Sequence, residues 1–139
     1  MGATRLRSAA GPQAGSATAE LVIATPALLL MVMLVVQFAL WQHGQHVASA
    51  AAEEGERAAR LEGGTAAAGV GRAREFLDQL GPQLVVAPHV GARRDGATAR
   101  VEVHATAEQL LPWLRLPIRA IAEGPVEQFT PVPSAGGPP

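Results

Sequence analysis

The stretch Leu21–Trp41, LVIATPALLLMVMLVVQFALW, decides the fold. Only Thr25 and Gln37 interrupt its apolar character, and no charged side chain falls inside it. About 20 apolar residues, rising about 1.5 Å each, cross the roughly 30 Å hydrocarbon core of a bilayer. A helix buried inside a small protein has no reason to match that length, so the run is expected to be a transmembrane helix. Pro26 lies near its start, where a missing backbone N–H is easiest to tolerate and a kink is expected. Arg5 and Arg7 precede the run, and the first formal charges after it are Glu53, Glu54 and Glu56. Because basic residues stay on the cytoplasmic side, the chain is expected to cross the cytoplasmic membrane once, with its amino end in the cytoplasm and its carboxyl-terminal part outside.

Working outward, helical periodicity continues through VASAAAEEGERAARLEG, residues 47–63. Ala48, Ala51, Ala52, Gly55 and Ala59 recur at spacings of three and four, a strip of small residues that lets another helix approach closely. Glu53 with Arg57 and Glu56 with Arg60 put acid four residues ahead of base, worth roughly 0.2–0.5 kcal/mol each on an exposed face. Gly63 and Gly64 end the helix. A glycine- and alanine-rich link follows. Val70, Ala73, Phe76, Leu77 and Leu80 then predict a short amphipathic helix, stopped by Gly81 and Pro82.

Two extended runs, 84–90 and 98–106, flank Arg94, Asp95 and Gly96, a hairpin signal. In the second run Ala99, Val101, Val103 and Ala105 alternate with Arg100, Glu102 and His104, giving one apolar and one wet face. Pro88 marks the first strand as an edge. Pro112 and Pro117 make the next segment a turn region before a third strand over 118–129. The fold class is therefore α+β: a long transmembrane helix carrying a small extracytoplasmic head, with a short helix and a β-hairpin or three-stranded antiparallel sheet. The expected divisions are a leader over 1–15, the helix and its extension over 16–62, the head over 63–130, and a proline- and glycine-rich tail over 131–139.

Composition narrows the function. Eleven basic residues against 12 acidic ones leave no extended cationic surface for nucleic acid. The absence of cysteine excludes disulfides and thiolate metal sites. With only Phe38, Trp41, Phe76, Trp113 and Phe129 as aromatics, the head has a thin core. An outer region of this size, without staples, is expected to need its own helix stem or sister subunits for stability. No catalysis is expected: His43 and His46 are one helical turn apart, but Glu53, Glu54 and Glu56 lie too far along to complete a metal site. Asp78, Asp95, Glu102 and His104 show no spacing of a nucleophile with its base, and no phosphate loop is present. No cofactor, metal or small-molecule substrate is expected.

The junction AGSATAEL, residues 14–21, puts Gly15 immediately before Ser16 and Glu20 at the fifth place of a chain starting at Ser16. This resembles a type IV prepilin processing site. The resemblance implies that a membrane-embedded prepilin peptidase cuts between Gly15 and Ser16, leaving Glu20 at the top of the helix. A carboxylate entering a membrane is costly without a partner, and the cut would expose an amine on Ser16, cationic at neutral pH. On a neighbouring subunit that amine is the natural counter-charge for Glu20, and the pair would fix the axial register of packed helices. The plainer reading puts Glu20 in the headgroup zone, where the helix macrodipole favours an acid.

The order of Gly15, Glu20, Pro26, the apolar run and then Ala51, Ala52, Gly55 and Arg57 is similar to the TadE-like family, whose helices commonly end in Ala-Ala-x-x-Gly-x-Arg. Leu21 stands where that family often has an aromatic, and Pro12-Gln13-Ala14 where a basic residue is usual. The resemblance covers about residues 15–60. It implies a non-enzymatic minor pseudopilin of a tight-adherence pilus or related secretion machine, serving cell adhesion or secretion. The implied partners are the membrane, prepilin peptidase, other pilin or pseudopilin subunits and the inner-membrane assembly platform. Assembly would use Glu20 and Pro26 for register and the strip Ala48, Ala51, Ala52, Gly55 and Arg57 for helix packing. Two alternatives differ at the amino end. Ala48-Ser49-Ala50 fits the small-x-small pattern of signal peptidase, whose cut after Ala50 would release a secreted protein, although the apolar run is too long for a signal core. A chain never cut would be a bitopic scaffold.

Overall fold

The computed structural model describes residues 13–127, with side chains from Ala19 onward. Helix α1 covers Gln13–Arg60 and α2 covers Ala66–Leu80; β1 (Val85–Arg94), β2 (Thr98–Ala107) and β3 (Pro117–Pro125) follow. This is the expected α+β class, with three strands rather than a lone hairpin. Residues 1–12 of the expected leader and the tail over 131–139 lie outside the described residues. The chain divides between Val35 and Val36 into two units.

In the first unit, α1 from Leu21 to Val35 is apolar on every side, Thr25 apart, and covered on none. Leu21, Ile23, Leu29 and Val35 are all exposed, Ile23 to 75%. Such a helix suits a hydrocarbon solvent, because its backbone polar groups are satisfied internally and its side chains need no water. Pro26 lies inside it.

In the second unit the remaining turns of α1 and all of α2 cover one face of an antiparallel meander of order β1-β2-β3. Val47, Ala48, Ala51 and Ala52 of α1 and Ala73 and Leu77 of α2 form the core with Val85, Val90, Val101, Val103, Ile118 and Ala120 from the strands. The stem thus supplies a large share of the head's own core. Strand β2 alternates as expected, with Ala99, Val101 and Val103 fully buried. Arg100, Glu102 and His104 line the opposite face, where Arg100 pairs with Glu102 at 2.8 Å and with Glu123 of β3 at 3.3 Å.

Local chemistry explains the element ends. Helix α2 begins at Ala66, four residues before the sequence pattern starts, because the Thr65 hydroxyl accepts the Ala68 N–H at 3.0 Å and caps the helix. The expected link therefore supplies its first turn. Leu80, expected on the apolar side, is exposed; the buried face runs Gly69, Ala73, Leu77. After α1 ends, Gly63 adopts φ +75°, a backbone region in which a side chain is strained. The carbonyl of Arg60 is satisfied by the Glu127 N–H at 2.9 Å.

Strand β1 is an edge, as Pro88 predicted. Its register with β2 slips between Val86 and His89, where Ala87 takes φ +50°. The extra residue returns both Val85 and Val90 to the core side. Strand β3 starts one residue earlier than expected, at Pro117, and ends at Pro125. Of the expected strand end, residues 128 and 129 lie outside the described residues. At the β1–β2 turn, the Asp95 carboxylate accepts N–H groups of Thr98 at 2.7 Å and Ala97 at 2.8 Å. These bonds, Thr98 first, hold its carboxyl below the ordinary 3.8. A depressed carboxyl stabilises the fold above its unfolded value and loses that contribution as pH falls through the folded one. Replacing Asp95→Asn should lower the melting temperature at pH 7, and the gap from the parent should close below pH 3.8 in circular-dichroism melts taken across pH.

The α1–α2 crossing is closer than side chains permit. A Cβ on Gly55 would lie 2.7 Å from the Gly69 carbonyl oxygen and 2.9 Å from Ala73 Cβ; one on Gly69 would lie 2.9 Å from both Ala59 Cβ and the Gly55 oxygen. Gly71 on α2 faces open space. Gly71→Ala should stabilise the full chain by about 0.5–1 kcal/mol through helix propensity. Gly55→Ala should destabilise it despite the same gain, because overpacking costs about 1–3 kcal/mol. Urea unfolding in detergent micelles would read both signs.

Candidate functional site

The helix α1 carries every position singled out in the sequence, distributed over two surroundings. Gly15 and Ser16 lie in its first turns by backbone. Glu20 and Pro26 are exposed on the uncovered apolar unit. Ala48, Ala51 and Ala52 are fully buried, and Gly55 is closed over by α2 and by a Val101 methyl 3.2 Å from its Cβ position. The helix that approaches this strip is therefore α2 of the same chain. Arg57 lies outside the strip: it is half exposed, 2.6 Å from Glu54 and 4.0 Å from Glu53. Glu54 in turn reaches Arg72 of α2 at 3.7 Å. Exposed pairs of this kind contribute at most about 1 kcal/mol each.

Glu56 and Arg60 are deeper. Their closest charged atoms, Oε1 and Nε, are 3.6 Å apart, and neither atom has a hydrogen-bond partner. Gly124 of β3 faces this carboxylate so closely that a Cβ there would collide with it.

Three further side chains of α1 hold the segment between β2 and β3 and the first residues of β3 itself. Gln37 is fully buried. Its Nε2 donates to the Glu108 carbonyl at 2.8 Å, and its Oε1 accepts the Leu110 N–H at 2.7 Å and the Leu111 N–H at 3.4 Å. One turn on, Trp41 Nε1 donates to the Pro117 carbonyl at 2.9 Å. One turn further, the Gln45 amide donates to the Arg119 carbonyl at 2.6 Å and accepts the Arg119 N–H at 3.3 Å, acting as a short extra strand on the outer side of β3. Sequence reasoning treated Gln37 only as a break in polarity. The usable signal was the i, i+4, i+8 alignment of Gln37, Trp41 and Gln45, three hydrogen-bonding side chains on one helix face.

Among the described residues, no group of three His, Cys, Asp or Glu side chains is arranged to hold a metal ion. His43 and His46 are exposed, and the Gln42 amide approaches His46 Nε2 at 3.1 Å. A cleft of about 510 Å³ beside the β1 bulge contains Glu108 and Arg115 but no histidine, cysteine or second carboxylate. On the open sheet face Glu102 bridges His104 at 3.4 Å and Arg100, and the His104 bond, then Arg100, lowers its carboxyl from the ordinary range.

These features define a class: an α+β protein with, among the described residues, one helix long and apolar enough to cross a membrane, which supports a single-pass membrane protein. The family model described as TadE-like protein matches residues 15–57. Over this stretch, from the Gly15 junction through the apolar run to Gly55 and Arg57, the chain is similar to that family. No curated protein and no solved structure gives a match to the chain.

The three hydrogen bonds of Gln37 yield a sharp test. Gln37→Leu keeps the volume but strands one carbonyl and two N–H groups, each left unsatisfied at about 1–3 kcal/mol. Thermal melts of the full chain in micelles should show a loss of at least that size, whereas Gln42→Leu, on the exposed side, should leave the melting point unchanged.

Proposed function

We propose that this chain is a minor pseudopilin-like component of a tight-adherence pilus or a related secretion machine, joined to its neighbours through the amino-terminal part of α1. What carries this reading is the single stretch 15–57 matched by the family, which takes in the Gly15–Ser16 junction, Glu20 and the whole apolar run. The membrane is its first partner, through an uncovered apolar helix. Prepilin peptidase, other pilin or pseudopilin subunits and the inner-membrane platform are its protein partners.

The proposed mechanism begins with an uncut chain waiting in the membrane, amino end in the cytoplasm, head outside. Cutting between Gly15 and Ser16 removes the leader and frees an amine that pairs with Glu20 of an adjacent subunit, setting the register of packed helices. Pro26 bends or loosens the helix just beyond that pair. Because Ala48, Ala51, Ala52 and Gly55 are occupied by the chain's own α2 and sheet, the surface left for neighbouring helices is the exposed run of the first unit. A signal-peptidase cut after Ala50 would sever α1 in the middle of the head's core and remove Gln37, Trp41, Gln45, Val47 and Ala48 from it, which argues against the secreted alternative.

Amino-terminal sequencing of the protein recovered from membranes should read from Ser16. Gly15→Leu should leave a longer chain that stays in the membrane and out of the assembly. A sequence starting at Ala51 would mean a secreted protein, an intact leader would mean an uncut scaffold, and normal migration and assembly of the Gly15 variant would overturn processing at this site.

A further inference from the structure

The segment between β2 and β3, EQLLPWLRL over residues 108–116, folds over a turn in which the Leu114 N–H donates to the Leu111 carbonyl at 3.0 Å. Leu111 points inward and is only 2% exposed, while Trp113, at the tip, is 70% exposed and Leu110 is 41% exposed. An isolated large aromatic held out from a small head with so few aromatics is a costly use of apolar surface if it faces water. Its position along α1 supplies the reason. The loop is fastened to Gln37 by three hydrogen bonds and, at its far end, to Trp41 by one. Gln37 and Trp41 belong to the last turns of the apolar run, and Phe38 between them is exposed, its ring centroid 5.5 Å from that of Trp41. The loop is therefore level with the last turns of the apolar run.

We propose that this loop is a membrane-contacting foot: Trp113 and Leu110 enter the interfacial layer of the leaflet facing the head, and the exposed Arg115 meets lipid phosphate. Tryptophan is favoured at that depth because its ring is apolar and its N–H needs a polar partner, and an arginine stem lies along apolar surface while its head stays at the phosphates. The occupant is lipid rather than a second chain, since the loop is fastened at Gln37 and Trp41, the last turns of the apolar run itself. The inference rests on Leu21–Trp41 crossing the membrane.

The absence of cysteine allows single nitroxide labels. Trp113→Cys, Leu110→Cys, Met31→Cys in the apolar run and Ala97→Cys in the turn at the Arg60 end of α1 would each be introduced into the full chain. They would be reconstituted in phosphatidylcholine and phosphatidylglycerol liposomes and compared for collision with oxygen and with a water-soluble nickel chelate. The expected result is a gain in oxygen contact and a loss of nickel contact at 113 and 110 relative to 97, smaller than at 31. If site 31 is immersed but 113 and 110 match 97, the foot is wrong and the span stands. If 31 also matches 97, both fail. Dipolar broadening at 113 would put a second copy of the chain on the patch and overturn the lipid assignment.

Discussion

Backbone meets backbone where α1 crosses α2, at Gly55 and Gly69, and the head depends on that closeness. A core built from alanines and valines is thin, so its layers cohere only if the main chains come near enough for small side chains to touch. Val101 of β2 shows how the third layer is recruited: one of its methyls lies over the Gly55 position and the other over the Gly69 position, at 3.2 and 3.4 Å from where Cβ atoms would be. One residue thus registers the sheet against both helices at once.

The same α1 serves two solvents. From Leu21 to Val36 its side chains are uncovered and, Thr25 apart, apolar, and from Gln37 its buried positions are taken by the head. The change is made by a single amide. In hydrocarbon, an unpaired Gln37 would be expensive, and in the head, the Leu110 and Leu111 N–H groups would be unpaired without it. Each removes the other's cost, so Gln37, one of the two interruptions of the apolar run, is the residue that holds the 108–111 segment.

Much of this was legible beforehand, for reasons that differ by element. The apolar run, the β2 alternation and the Asp95-Gly96 turn are local patterns with one dominant physical cause, and they reappear with boundaries shifted by a few residues. Helix α2 begins early because Thr65 caps it, a signal hidden by the glycine-rich composition around it. The small residues of α1 mark a surface that admits a close helix, but sequence does not say whose helix; at Gly55 it is α2, through the Gly69 backbone and Ala73. The loop 108–116 looked like a proline-broken turn because its hydrogen bonds go to side chains 71 to 76 positions away, and no local pattern encodes a bond of that separation.

The rims of the sheet are worth a last thought. On β1 the bulge at Ala87 and the ring of Pro88 interrupt the outward row of amides, while on β3 prolines stand at both ends and the amide of Gln45 occupies Arg119 between them. A neighbouring strand has no unbroken ladder to extend on either side. However concentrated the protein becomes, such a head resists fusing edge to edge into a continuous ribbon.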